Sequence, residues 1–135
     1  MEDYNSSSNG GNTLFHLNQI YVSKGGDKQA WENLLISVYQ CQSYQEMLIY
    51  LVQKMKNEPS NTLNLDIIDY FADYGPVNLI EEIGSINFMN NIYNLMKKSS
   101  GSGLEVQKQG IYLTKKWYDK FNNSFNRNYQ GFVNN

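Results

Sequence analysis

The sequence predicts an all-α fold: a right-handed superhelix of seven to eight short helices, stacked as an α-solenoid of one domain's length. Three observations lead there. Apolar residues recur at spacings of three and four along almost the whole chain, Gly- or Pro-marked corners interrupt that pattern repeatedly, and no stretch of useful length alternates apolar with polar. At 135 residues, with 41% hydrophobic and 18% charged residues, the chain suits a single globular domain with one continuous core.

Residues 1–12, MEDYNSSSNGGN, hold almost nothing apolar and cannot offset the entropy of ordering, so they read as a disordered leader ahead of a domain at 13–135. From Thr13, a plausible cap, Leu14, Leu17 and Ile20 or Tyr21 mark a first helix that ends near Gly25 and Gly26. Asp27 caps a second helix to about Cys41, with Trp31, Leu34, Leu35 and Val38 on one broad face. Ser43 is expected to cap a third, carrying Met47, Leu48, Leu51, Val52 and Met55, until Pro59 breaks the chain.

The fourth helix, about Thr62 to Tyr74, places Leu63, Ile67, Ile68 and Phe71 on one side and Asp66, Asp69 and Asp73 on another. Gly75 stops it, and Pro76 opens a short fifth helix from Val77 to Ile83. Gly84 ends that helix. Ser85 starts a sixth, which runs to Lys98, buries Phe88, Ile92, Leu95 and Met96, and sets Lys97 and Lys98 against its dipole. After SSGSG, read as a flexible linker, a seventh helix from about Leu104 to Asn122 aligns Val106, Gly110, Leu113, Trp117 and Phe121 in one stripe. A glycine at 110 costs roughly 1 kcal/mol against alanine in a helix interior, which argues for a close helix crossing there. GFVNN reads as the opening turns of an eighth helix, incomplete at Asn135.

Few residues carry chemistry. His16 is the single histidine and Cys41 the single cysteine, so a zinc site is not expected, and nothing beside His16 would orient it toward a nucleophile. Cys41 reads as a small core residue, which fits a reducing compartment. The three aspartates lack the basic or polar neighbours that would tune one acid against another, so they read as a solvated face rather than a catalytic pair. Gly101 and Gly103 lack the ending of a phosphate loop. No catalytic residue, metal or cofactor is therefore assigned. The start has no signal-peptide character, and no apolar run reaches membrane-spanning length. Net charge is −2, but residues 1–96 hold four basic and eleven acidic groups against seven and two in residues 97–135. That asymmetry could face a partner or an anionic surface and is too diffuse to indicate nucleic acid.

What remains is a surface for binding. Trp31 and Leu35 lie one turn apart on the second helix, an aromatic–aliphatic pair that spacing alone leaves open as either hot spot or core.

Three segments resemble the VHS domains of sorting adaptors: LDIIDYFADYG at 65–75, EEIGSINFMNNIYNLMKK at 81–98 and VQKQGIYLTKKWYDKF at 106–121. They are similar to that family's helices four, six and seven, with Ile67-Ile68-Asp69, Gly75, Glu81-Glu82-Ile83-Gly84-Ser85, Phe88, Val106-Gln107, Gly110, Trp117 and Phe121 in the family's order. Helix four ends one residue earlier than in most VHS members, nearer to ENTH domains and the Las-seventeen-binding adaptors of fungi. The resemblance implies a monomeric, cytoplasmic, non-enzymatic adaptor domain, peripherally associated with endosomal or Golgi membranes. It would bind ubiquitin or ubiquitinated cargo through Trp31 and Leu35, with Asp66, Asp69 and Asp73 of helix four facing ubiquitin's basic rim. Sorting-signal peptides or an anionic membrane surface are further partners in the family's range. One helix pair implies a Kd on the order of 10⁻⁴ M, roughly 5–6 kcal/mol. A different function on the same kind of superhelix is a reader of RNA polymerase II tail peptides, for which Arg127, the single arginine, offers little phosphate-binding charge.

Overall fold

The computed structural model describes residues 11–124 and 126–133, which form eight α-helices, two 3-10 turns and no strand. The helices are α1 (Gly11–Val22), α2 (Lys28–Gln40), α3 (Gln45–Asn57), α4 (Leu63–Tyr74), α5 (Val77–Ile83), α6 (Ile86–Leu95), α7 (Gly103–Phe121) and α8 (Gln130–Val133). Among the described residues no helix is long and apolar enough to cross a membrane.

Each helix buries the stripe its sequence carries. Leu17, Ile20, Leu34, Leu51, Ile67, Ile68, Phe71, Ile92, Val106 and Trp117 are sealed from solvent in one core, each aliphatic contributing roughly 1.5–3 kcal/mol by burial. Helix α1 packs on α2 and α3, α4 lies between α3 and α7, and α8 closes the far end against α6 and α7. Phe132 anchors α8: its ring stacks on Phe121 with centroids 4.2 Å apart and tilts against Trp117 at 6.0 Å. The Gly131 amide donates to the Gly84 carbonyl at 2.6 Å and fixes that end on the α5–α6 corner.

Local chemistry sets several helix starts as expected. The Asp27 carboxylate accepts from the Ala30 amide at 3.2 Å, and Ser85 Oγ accepts from the Phe88 amide at 3.2 Å. Other boundaries differ. Helix α1 begins at Gly11, so Thr13 is buried within its first turn rather than capping it and residues 11 and 12 of the expected leader are helical; residues 1–10 lie outside the described residues. Ser43 falls one position outside the α3 cap, Tyr44, although its hydroxyl still accepts from the Gln45 amide at 3.3 Å.

Helix α6 stops at Leu95, before Met96, Lys97 and Lys98, and SSGSG is an ordered turn. The hydroxyls of Ser100 and Ser102 both donate to the Leu95 carbonyl at 2.7 Å, taking over one of the carbonyls that end the helix. Gly75 does end α4, with φ at −73° rather than left-handed; a Cβ there would stand 2.7 Å from the Phe71 carbonyl oxygen, and crowding is what excludes a side chain. Gly110 marks the expected close approach, since a Cβ at that point would come 2.6 Å from Met96 Cγ.

Candidate docking face on the second helix

The α1–α2 corner sets the geometry of the candidate face. The chain turns through Lys24 and Gly25 with φ of 54° and 81°, a left-handed pair that suits glycine at the second position. The Gly25 amide donates to the Ile20 carbonyl at 2.8 Å, and its own carbonyl accepts from Trp31 Nε1–H at 3.0 Å. That bond holds the indole at the edge of the core with its polar atom satisfied. The Tyr70 ring of α4 meets it edge-on, centroids 5.0 Å apart and planes at 67°, while the Tyr70 hydroxyl donates to the Trp31 carbonyl at 3.1 Å. Burial pushes the Tyr70 phenol above its ordinary pKa, with Glu32 and Tyr74 adding to the effect, so it stays a neutral donor.

Trp31 and Leu35 are both half-buried, packed on the core at one edge and open at the other. The stripe continues with Tyr39, 60% exposed, whose hydroxyl donates at 2.8 Å to the carbonyl of Tyr74, itself 58% exposed. Tyr70 and Tyr74 stand one turn apart on α4 with ring centroids at 5.4 Å. The structure therefore brings Trp31 and Leu35 together beside an aromatic margin of Tyr39, Tyr70 and Tyr74. Sequence reasoning passed over those three tyrosines, although the steps 31, 35, 39 and 70, 74 carry the helical signal.

The three aspartates do more than face solvent. Asp66 and Asp73 are exposed as a solvated face requires, and all three also join α4 to α7. Lys116 Nζ donates to Asp69 Oδ1 and Oδ2 at 2.9 and 3.0 Å and to Asp73 Oδ2 at 3.0 Å. Lys120 Nζ reaches Asp73 Oδ1 at 3.2 Å and the Ala72 carbonyl at 2.8 Å. The buried Trp117 indole donates to Asp69 Oδ1 at 3.0 Å, and Gln109 Nε2 donates to Asp66 Oδ1 at 2.8 Å. Burial works to raise the Asp73 carboxyl, but its bonds to Lys116 and Lys120 outweigh that and hold it below the ordinary value. For Asp66 burial dominates and the shift is upward, with Gln109 opposing it in part. All three carboxylates bond toward α7 while Asp66 and Asp73 stay exposed, and Asp27 and Glu32, also exposed, are acidic groups next to Trp31 on the α2 side.

The remaining candidates are quieter. Burial lowers the His16 pKa, and its ring lies edge-on to Phe15 at 5.5 Å. Cys41 is half-buried rather than sealed, and burial raises its thiol pKa. No group of three or more metal-ligating side chains occurs among the described residues. The residues of the expected family motif serve packing: Phe88, Gly110, Trp117 and Phe121 are buried, and Gly75 sits at the α4–α5 corner. An open groove of ≈ 1520 Å³ runs between α3 and the α5–α6 corner, with Ile49 and Lys56 on one wall and Glu81, Glu82, Ile86 and Arg127 on the other. No protein-family model, curated protein or solved structure matches the chain.

Proposed function

We propose that this chain is a non-enzymatic adaptor domain of vesicular protein sorting, a VHS-like right-handed superhelix that binds ubiquitin or ubiquitinated cargo weakly through α2. It acts in the cytoplasm, recruited peripherally to endosomal or Golgi membranes. One observation carries the reading: Trp31 and Leu35 stand side by side, half-open, with the indole N–H already bonded to Gly25 and the ring braced by Tyr70. A partner's apolar patch can cover such a pair without stranding a polar group or freezing a mobile side chain. Asp27 and Glu32 supply acidic groups for steering beside Trp31, and the three aspartates of α4 bond across to α7.

The test is a titration of isotope-labelled protein with ubiquitin. Amide signals of α2 and the Trp31 indole N–H should move in fast exchange with Kd on the order of 10⁻⁴ M. Unmoved signals at millimolar ubiquitin, or identical shifts in Trp31→Ala, would remove the site.

The open α3–α6 groove favours a second reading, a reader of RNA polymerase II tail peptides, because its lining holds Lys56 and Arg127. Glu81 and Glu82 on the same wall oppose phosphate. A phosphorylated heptad peptide that moved α3 and α6 signals, with ubiquitin inert, would favour this second reading over the first.

A further inference from the structure

We propose that the outer face of α7, together with the turn before it, docks on anionic lipid membrane. Leu104, Ile111, Tyr112 and Tyr118 are 66%, 64%, 70% and 44% exposed, an unusual density of large apolar groups for one solvent-facing helix. Leu104, Ile111 and Tyr118 recur every seven residues and so form a single stripe. Lys108 and Lys115 recur every seven residues immediately beside it, and both are exposed. Lys97 and Lys98, both exposed, stand before α7 on the other flank of the stripe, where Gln107 Nε2 donates to the Lys97 carbonyl at 3.5 Å.

Charge decides the occupant. Among the described residues the ion pairs are made by Lys54, Lys116 and Lys120, and Lys97, Lys98, Lys108 and Lys115 enter none of them. The exposed acids on this helix, Glu105 and Asp119, lie within a turn of Lys108 and Lys115 on the Tyr112 flank, and with Lys97 and Lys98 the four lysines outnumber them. Pairing with a second copy would bring Lys108 and Lys115 toward like charge. The exposed groups come from one helix and one turn, a ridge without a receiving cleft, whereas a protein partner's anchors seek pockets. A deformable headgroup layer takes a ridge: aliphatic tips enter the acyl boundary, tyrosines sit at headgroup level, and lysine stems reach back to phosphate.

This face and the α2 face lie on different helices, so each can fail alone. The experiment is flotation of the full chain with vesicles of phosphatidylcholine alone and of phosphatidylcholine with phosphatidylserine in equal parts, at low and physiological salt. The chain should float with the mixed vesicles, weakly or not at all with phosphatidylcholine, and less as salt rises. Lys108→Ala with Lys115→Ala should lower the partition coefficient about 25-fold, about fivefold per lysine. Leu104→Ser with Ile111→Ser should weaken it further while leaving helical circular dichroism and the ubiquitin titration unchanged. Equal flotation with both vesicles, no flotation with either, or an unaffected lysine variant overturns the proposal. Capture by poly-glutamate with both vesicles ignored overturns it too, and assigns the ridge to an acidic protein.

Discussion

The two tryptophans flank the same helix and differ in what surrounds them. Trp117, on the α7 side of α4, is fully sealed, and its N–H goes to a carboxylate that is itself tied to Lys116. Trp31, on the α2 side, is half-open, and its N–H goes to a backbone carbonyl in a turn. Both indoles have a satisfied donor, so the polar atom does not separate them. The difference is the second face of the ring: Trp117 meets Phe132, whereas Trp31 has Tyr70 on one side and water on part of the rest. A sealed ring can only hold the fold together. A braced and partly open ring can also be covered by something else.

The sharpest way to break that contrast is to truncate each ring. Trp117→Ala removes a fully buried side chain and leaves Asp69 without the indole donor, so unfolding free energy should fall by ~3–5 kcal/mol in urea titrations. Trp31→Ala should cost stability less, roughly 1–2 kcal/mol given partial burial, and should abolish ubiquitin-induced shifts. Equal losses of stability from the two variants would mean that Trp31 is as structural as Trp117, and the docking face would be lost with the contrast.

How far this division could be read from the sequence depends on the reach of each signal. Trp117 belongs to a five-membered stripe with Val106 and Phe121, and a stripe of that length predicts burial by itself. Trp31 sits on the shoulder of an arc whose buried centre is Ala30, Leu34 and Val38, and an arc cannot say where its edge meets solvent. The caps at Asp27 and Ser85 were legible because their bonds close within three residues. The role of Asp66, Asp69 and Asp73 was not, because their partners Gln109, Lys116, Trp117 and Lys120 lie more than forty residues away and a flexible lysine leaves no periodic trace. Likewise SSGSG has the composition of a linker, and only the Leu95 carbonyl left exposed at the end of α6 turns its serines into a folded cap.

A variant of intermediate effect probes the α7 side without emptying the core. Asp69→Ala leaves the sealed Trp117 N–H without an acceptor and frees Lys116 from its bidentate contact, and an unsatisfied buried donor costs about 1–3 kcal/mol. Asp69→Asn keeps an amide oxygen facing the indole and should recover part of that loss. Ubiquitin-induced shifts on α2 should be the same in both variants as in the parent, because Asp69 points away from Trp31. A weaker ubiquitin affinity in Asp69→Asn at unchanged stability would show that helix four's acids do reach the partner.

The smallest effect lies within the acidic row itself, where Asp66 and Asp73 should respond to pH with opposite sign. Asp73 is held below its ordinary value, since the bonds to Lys116 and Lys120 overcome burial, so its ionised form favours the folded state. That contribution is complete above the unfolded value near ~3.9 and is lost as pH falls through the lower folded one. Asp66 is shifted upward by burial despite the Gln109 bond and the helix dipole, so its charge costs stability above the raised value and the cost disappears on acidification. At pH 7 Asp73→Asn should therefore destabilise by up to ~1 kcal/mol, the scale of a partly exposed ion pair, with the deficit shrinking in acid. Asp66→Asn, which retains an acceptor for Gln109, should be neutral or slightly stabilising at pH 7 and indistinguishable from the parent once Asp66 itself is protonated. Parallel pH profiles for the two variants would mean that the row acts as one solvated stripe, and the asymmetry between the two flanks of α4 would then rest on the tryptophans alone.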